Sequence, residues 1–337
     1  MATMKAVQVT KANGPFEVVQ RDIPEPGPGQ VRIKVEACGI CHSDMFVKSG
    51  AFPGLVMPRI PGHEIAGRID AVGPNVNAWK KGDRAGVGWH GGHCFECNAC
   101  RKGLFINCEK AQVTGISYDG GYAEYAVVQA SAAARIPDAL DAADAGPLLC
   151  AGVTTYNALR NSGARPGDTV AVQGIGGLGH LAIQYAARMG FRTVAISSGA
   201  EKEELARQLG AHEYVDTKKV AAAEGLQKLG GADLVLATAP HAEAIASTLS
   251  GLKSRGKLLI VAAPFEPLQI GALPLLSGKT VAGWPSGSSI DSEETMAFSA
   301  LTNVRPRIEK FKLDQAEEAF AKMMANKVRF RAVLIPA

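Results

Sequence analysis

The sequence predicts an α/β protein in two parts, a mostly β lobe joined to a doubly wound parallel sheet. Three observations carry this. Before about residue 150, short alternating apolar and polar runs are punctuated by glycine and proline, and helical periodicity is scarce. After residue 152, strand-like runs alternate with helix-spaced ones, the pattern of a parallel sheet covered on both faces. Between the first strand and helix of that second region lies Gly174-x-Gly176-x-x-Gly179. Two domains also suit a length of 337 residues, at roughly 150 per domain.

In order, the turn-rich Pro24 to Gly29 leads into a strand over Val31 to Cys38, whose side chains alternate as a half-buried strand requires. Ile65 to Val72 and Tyr122 to Val128 read as further strands. The second region opens with the continuous apolar strand Thr169 to Gln173 and a helix over Leu178 to Met189. Strand Thr193 to Ser197, helix Glu201 to Leu209 and a short strand at Tyr214 to Val215 follow. Then come helix Val220 to Leu229, strand Asp233 to Thr238, helix Ala242 to Leu252 and strand Lys257 to Ala262. After Ser292 the pattern turns mixed, with a helix at Leu313 to Met324 and a last strand at Ala332 to Ile335.

Composition removes several function classes. The net charge of +4 is spread along the chain, so a nucleic-acid or membrane-surface binder is not expected. No run of 18 apolar residues occurs and no apolar leader follows the start, so a soluble cytoplasmic protein is expected. Seven cysteines is an odd number, against a pure disulfide framework.

Four of those cysteines form Cys94-x2-Cys97-x2-Cys100-x7-Cys108. Close Cys-x2-Cys spacing lets one loop wrap a tetrahedral Zn2+, and four thiolates close its coordination, which makes the ion structural. An iron–sulfur loop calls for three residues before the last cysteine and a proline after it; here there are seven, then Glu109. His90 and His93 lie nearby but four thiolates already suffice. A second, dispersed group comprises Cys41-His42-Ser43-Asp44, Gly62-His63-Glu64 and Cys150. Two thiolates and an imidazole make a three-ligand zinc site open to water or substrate.

Gly62-His63-Glu64-x2-Gly67-x5-Gly73-x2-Val76, with the four-cysteine lobe, Cys150-Ala-Gly-Val-Thr154 and the glycine turn, resembles the zinc-containing medium-chain alcohol dehydrogenases, most of all their bacterial and cinnamyl-alcohol branches. The resemblance implies a GroES-like catalytic domain (1–152, with a zinc lobe at 90–110, and 290–337) around a Rossmann domain (153–289). It implies a catalytic zinc on Cys41, His63 and Cys150, with Glu64 able to approach the metal, and therefore two Zn2+ per chain. Asp44 would orient His63, Ser43 would pass the proton outward, and His42 and Arg331 would face the cofactor pyrophosphate. The reaction implied is reversible oxidation of a primary or secondary alcohol to an aldehyde or ketone, in a homodimer or homotetramer. Phe52, Trp89 and Trp284 are candidates for an apolar substrate pocket. Where many relatives carry a histidine that completes the proton relay, this chain has Phe46. Zinc-independent quinone or enoyl reductases share the fold, and a silent scaffold could keep it, but neither needs both ligand sets.

The glycine turn follows a strand and opens a helix, so Gly174, Gly176, Gly177, Leu178 and Gly179 should cradle a dinucleotide pyrophosphate, with Thr154 added by the resemblance. NAD-specific turns place a carboxylate about 20 residues on, at the ribose 2′-hydroxyl. Here the second strand ends Ser197-Ser198 with Lys202 close behind, a set that suits a 2′-phosphate; NADP(H) is therefore expected over NAD(H).

Overall fold

The structure is a computed structural model that describes residues 2–262 and 264–336. The chain divides into two compact units, Met1–Val153 with Gly287–Ala337, and Thr154–Ser286.

The first unit is built on a seven-stranded sheet. Its order is Ile308–Lys312, Arg331–Ile335, Gln30–Gly39, Ile65–Val72, Arg84–Val87 and Ala134–Arg135, with Tyr125–Gln129 also paired to Gln30–Gly39. Gln30–Gly39 pairs antiparallel to Ile65–Val72, and the inward Val31, Ile33, Val35, Ile65 and Ile69 are all buried. Each such side chain contributes about 1.5–3 kcal/mol over its exposed state. The strand expected from Tyr122 starts instead at Tyr125. Its first residues are drawn away because the amides of Gly120, Gly121 and Tyr122 donate to the carbonyls of Ile60, Gly62 and Pro61. That detour packs Tyr122 beside Gly62 and Asp44, as described below.

The second unit is a six-stranded parallel sheet ordered Glu213–Asp216, Arg192–Ser197, Thr169–Gln173, Ala232–Ala237, Leu252–Ile260 and Thr280–Gly283. Chain direction across the sheet reverses between Thr169–Gln173 and Ala232–Ala237, where open α/β sheets bind ligands. Thr169–Gln173 is buried throughout, which explains its continuous apolar run. Two expectations are corrected. Helix Ala242 to Leu252 stops at Ala246, because the Ser247 and Thr248 hydroxyls turn back onto the Ala244 and Ile245 carbonyls. Leu252 then opens the following strand, five residues earlier than expected. The sixth strand, Thr280–Gly283, and the helices Val153–Arg160 and Ser289–Thr302 also lie outside the sequence reading. Among the described residues no helix is long and apolar enough to cross a membrane.

Candidate functional site

Cys41, His63, Glu64 and Cys150 come from three parts of the first unit, and one ligand atom from each lies within 4.8 Å of all the others. Cys41 leaves the end of Gln30–Gly39 in extended conformation, and a tight turn at His42–Asp44 follows. His63 and Glu64 immediately precede Ile65–Val72. Gly62 reaches them at φ +100°, and a Cβ there would stand 2.4 Å from the Tyr122 ring, so only glycine fits. Cys150 sits in a wide, π-type turn at Leu148–Gly152, the kind of local irregularity that often marks functional positions in helices.

The Cys41 and Cys150 sulfurs are 3.9 Å apart. Two thiolates on one tetrahedral zinc, with Zn–S of about 2.3 Å, stand about 3.8 Å apart. His63 turns Nδ1 to the Asp44 carboxylate at 3.2 Å, while its buried Nε2 has no hydrogen-bond partner. Glu64 Oε2 is likewise buried and unpartnered, and its other oxygen accepts from the guanidinium of buried Arg331. An orphaned imidazole nitrogen facing two thiols is the donor set a zinc ion needs, so these residues fit the metal. The electrostatics agree. The hydrogen bond from Cys150, opposed by burial and aided by His63, holds Cys41 well below an ordinary thiol. Burial pushes Glu64 up to about 7 although Arg331 pulls the other way. Gly39 gives that carboxylate its room, since a Cβ there would meet Oε2 at 1.8 Å.

Aromatic rings wall the cluster within the same unit. Trp89 packs edge-on to His63 at 5.0 Å, Phe52 to Trp89 at 6.3 Å, and Phe46 to Phe52 at 5.9 Å. Ser43 is half-buried and His42 exposed. Trp284 belongs to the second unit, just beyond Thr280–Gly283, and its amide donates to the Ile260 carbonyl.

The four-cysteine loop is a second closed cluster, with all four sulfurs within 4.8 Å of one another. Backbone amides point into it: Cys94 N–H donates to Cys108 Sγ, Cys97 N–H to Cys94 Sγ and Lys110 N–H to Cys108 Sγ, at 3.3–3.4 Å. Amides at Cys100 and Glu109 draw Cys97 down to about 6, as a thiolate ligand requires. His90 and His93 stack on each other with Nδ1 of His93 3.3 Å from Nε2 of His90, outside this ligand set.

In the second unit, Gly174 has φ +93° and its amide donates to the Ile196 carbonyl. Gly179–Arg188 is the helix that follows the glycine turn. Thr238 Oγ1 donates to both the Gln173 and Gly174 carbonyls, tying the turn to the next strand. Lys202 Nζ donates to the Ile175 carbonyl at 3.2 Å, so the cation stands on the turn itself. Ser197 is half-buried and Ser198 exposed at the end of the neighbouring strand. Thr154 is buried and bonds Ser286 at 3.2 Å.

Residues 27–138 match the family model for the alcohol dehydrogenase GroES-like domain and residues 177–301 that for zinc-binding dehydrogenase. The chain is 50% identical over 309 residues to the alcohol dehydrogenase patD of Penicillium expansum, covering 92% of this chain and 91% of that protein. It belongs to the zinc-containing medium-chain alcohol dehydrogenases. Solved folds similar to it hold either nicotinamide cofactor. The CAD of Helicobacter pylori complexed with NADP(H) superposes with TM-score 0.88 at 27% identity, over 99% of this chain and 98% of that one. Acetophenone reductase of Geotrichum candidum in complex with NAD gives 0.85 at 26% identity, over 99% and 97%.

For this alcohol dehydrogenase chain, sequence reasoning missed four contributions. Arg331 pairs with Glu64 in the metal cluster, Gly39 makes space for Glu64, and Tyr122 donates to Asp44 at 2.8 Å. Asp216, at the end of the third strand of the second unit, accepts from the Gly199 amide at 2.7 Å and anchors the Ser197–Gly199 bend. None of these carries a spacing signal; each arises from pairing between distant segments.

Proposed function

We propose that this alcohol dehydrogenase is zinc-dependent and prefers NADP(H), interconverting a primary or secondary alcohol with its aldehyde or ketone. The observation that carries the reading is the buried, unpartnered Nε2 of His63 facing the Cys41 and Cys150 sulfurs. Those three residues hold the catalytic ion and Glu64 stands where it can approach it. A zinc ion held there would supply a Lewis acid for a substrate oxygen, and a nicotinamide held by the second unit would supply the hydride acceptor. The protein's own part is orientation and proton handling. Asp44 fixes the His63 tautomer. Trp89, Phe52 and Trp284 offer apolar surface to the substrate carbon chain. Ser43 would take the alcohol proton; because Phe46 has no nitrogen to receive it, the onward exit would use a water, the cofactor ribose or another group, and no terminal base is assigned. Cys94, Cys97, Cys100 and Cys108 hold a second, structural zinc.

His42 and Arg331 are assigned to the pyrophosphate together with Gly174, Gly176, Gly177, Leu178, Gly179 and Thr154. Ser197, Ser198 and Lys202 are assigned to the 2′-phosphate. Asp216 does not oppose this, because its Oδ1 is occupied by the amides of Gly199 and Lys218. We assign a cytoplasmic location and a homodimer or homotetramer.

The test is an alcohol and aldehyde panel assayed with both NADPH and NADH. Turnover of alcohols and aldehydes with the NADPH couple ahead is expected. Inactivity on all of them, with reduction of quinones or enones, would install the zinc-independent reductase reading instead.

A further inference from the structure

Asp44 is almost wholly buried, 1% exposed, and three donors converge on it. Its Oδ1 faces His63 Nδ1 at 3.2 Å. Its Oδ2 accepts from the Cys41 amide at 2.9 Å and from the Tyr122 hydroxyl at 2.8 Å. Tyr122 is itself fully buried and comes from a distant part of the chain. Its ring is clamped between Gly62, where a Cβ would lie 2.4 Å from Cδ1, and the edge of Phe16 at 5.9 Å. A phenol held this tightly has little freedom to swing its hydroxyl away.

A carboxylate with one oxygen tied at a single point can rotate about its own Cβ–Cγ bond. With Oδ2 tied at two, by Cys41 N–H and Tyr122 O–H, Oδ1 is left aimed at the imidazole. That aim keeps the proton on Nδ1 and the lone pair on Nε2, the form of histidine that binds metal. We infer that Tyr122 is a positioning residue for the catalytic metal site, acting through Asp44 on His63. The inference rests on the reading of Cys41, His63 and Cys150 as zinc ligands. It assigns to Tyr122 no contact with substrate or cofactor.

The path makes a specific demand. Removing the hydroxyl should weaken the metal site only while Asp44 is there to relay the loss. Partners beyond a ligating histidine typically govern metal affinity by 10- to 100-fold. Tyr122→Phe preserves the ring and should lower zinc affinity at this site about tenfold in chelator competition on the full-length holoenzyme. It should also shift the visible bands of the cobalt-exchanged site. Zinc in the four-cysteine loop should be unchanged. In an Asp44→Asn background the same substitution should change zinc affinity little, because the relay is already cut. 3-Fluorotyrosine at 122 keeps the hydroxyl and should stay near the parent. Parental zinc affinity and cobalt bands in Tyr122→Phe would overturn the inference, as would an equal loss with and without Asp44. A parent that fills only the four-cysteine loop overturns the underlying zinc-site reading, a separate and recognisable failure.

Discussion

Alanine at Gly179 and alanine at Gly176 add the same methyl group to the same turn, and the structure predicts different consequences. At Gly179 a Cβ would stand 1.9 Å from the Gly174 carbonyl oxygen and 2.9 Å from Thr238 Oγ1. Contacts under 3.0 Å are essentially never seen for real Cβ atoms, so the helix and the turn must separate by more than about an ångström. The Gly174 carbonyl already accepts from Thr238 at 3.0 Å, a bond of about 1 kcal/mol that this movement disrupts. Overpacking adds about 1–3 kcal/mol. Gly179→Ala should therefore lose roughly 2–4 kcal/mol, lowering the melting temperature by roughly 5–15 °C. At Gly176 nothing lies within 4 Å of the added carbon. Gly176→Ala should melt like the parent when empty, yet bind NADPH at least about tenfold more weakly, because the methyl meets the approaching phosphates. Scanning fluorimetry without cofactor and fluorescence titration with NADPH separate the two effects. A Gly176→Ala protein that melts as low as Gly179→Ala, or binds cofactor like the parent, refutes this division of labour.

Cys97→Ser should drop the metal content from two zinc per chain to one and lower the melting point by roughly 10 °C or more, read by elemental analysis and calorimetry. An unchanged zinc content contradicts the structural site. For cofactor choice, the ratio of kcat/KM for NADPH over NADH should exceed one in the parent. It should fall about 10- to 100-fold in Ser197→Asp, where a carboxylate repels the 2′-phosphate; no fall removes Ser197 from phosphate recognition. Burial, helped by His93, holds His90 down to about 4, so the folded protein excludes a proton that the unfolded chain takes up below about 6.5. The stability held by neutral His90 is thus complete above about pH 6.5 and lost as pH falls towards 4, about 3 kcal/mol in all. His90→Gln should flatten that acid limb in urea titrations between pH 4 and 7; an unaltered slope excludes His90 as its source.

What could be read in advance follows physical lines. Ile65–Val72 and Thr169–Gln173 match their sequence bounds because burial on a sheet writes itself into residue pattern. The cysteine spacing was legible because one loop brings all four of its sulfurs within 4.8 Å of one another. Thr280–Gly283 was not, being a four-residue edge strand whose two end residues are exposed. Helix Ser289–Thr302 did carry a start signal, Ser288 with Asp291 three residues on, whose carboxylate accepts from the Ser288 amide. That cue is easily passed over in so serine-rich a stretch. Tyr122 and the Glu64–Arg331 pairing depend on which distant strands meet, and no local pattern encodes that.

The proposed reaction divides the work: Cys41, His63 and Cys150 serve the chemistry, while cofactor affinity comes mainly from the second unit. The most direct test of this division is NADP+ reduction by an alcohol substrate in His63→Ala, at cofactor concentrations where binding is shown by fluorescence to equal that of the parent. Turnover should fall by at least about a thousandfold with cofactor binding intact, since the Lewis acid goes with its ligand, whereas removing a merely orienting group costs far less. Turnover near the parental rate in that variant would contradict the account.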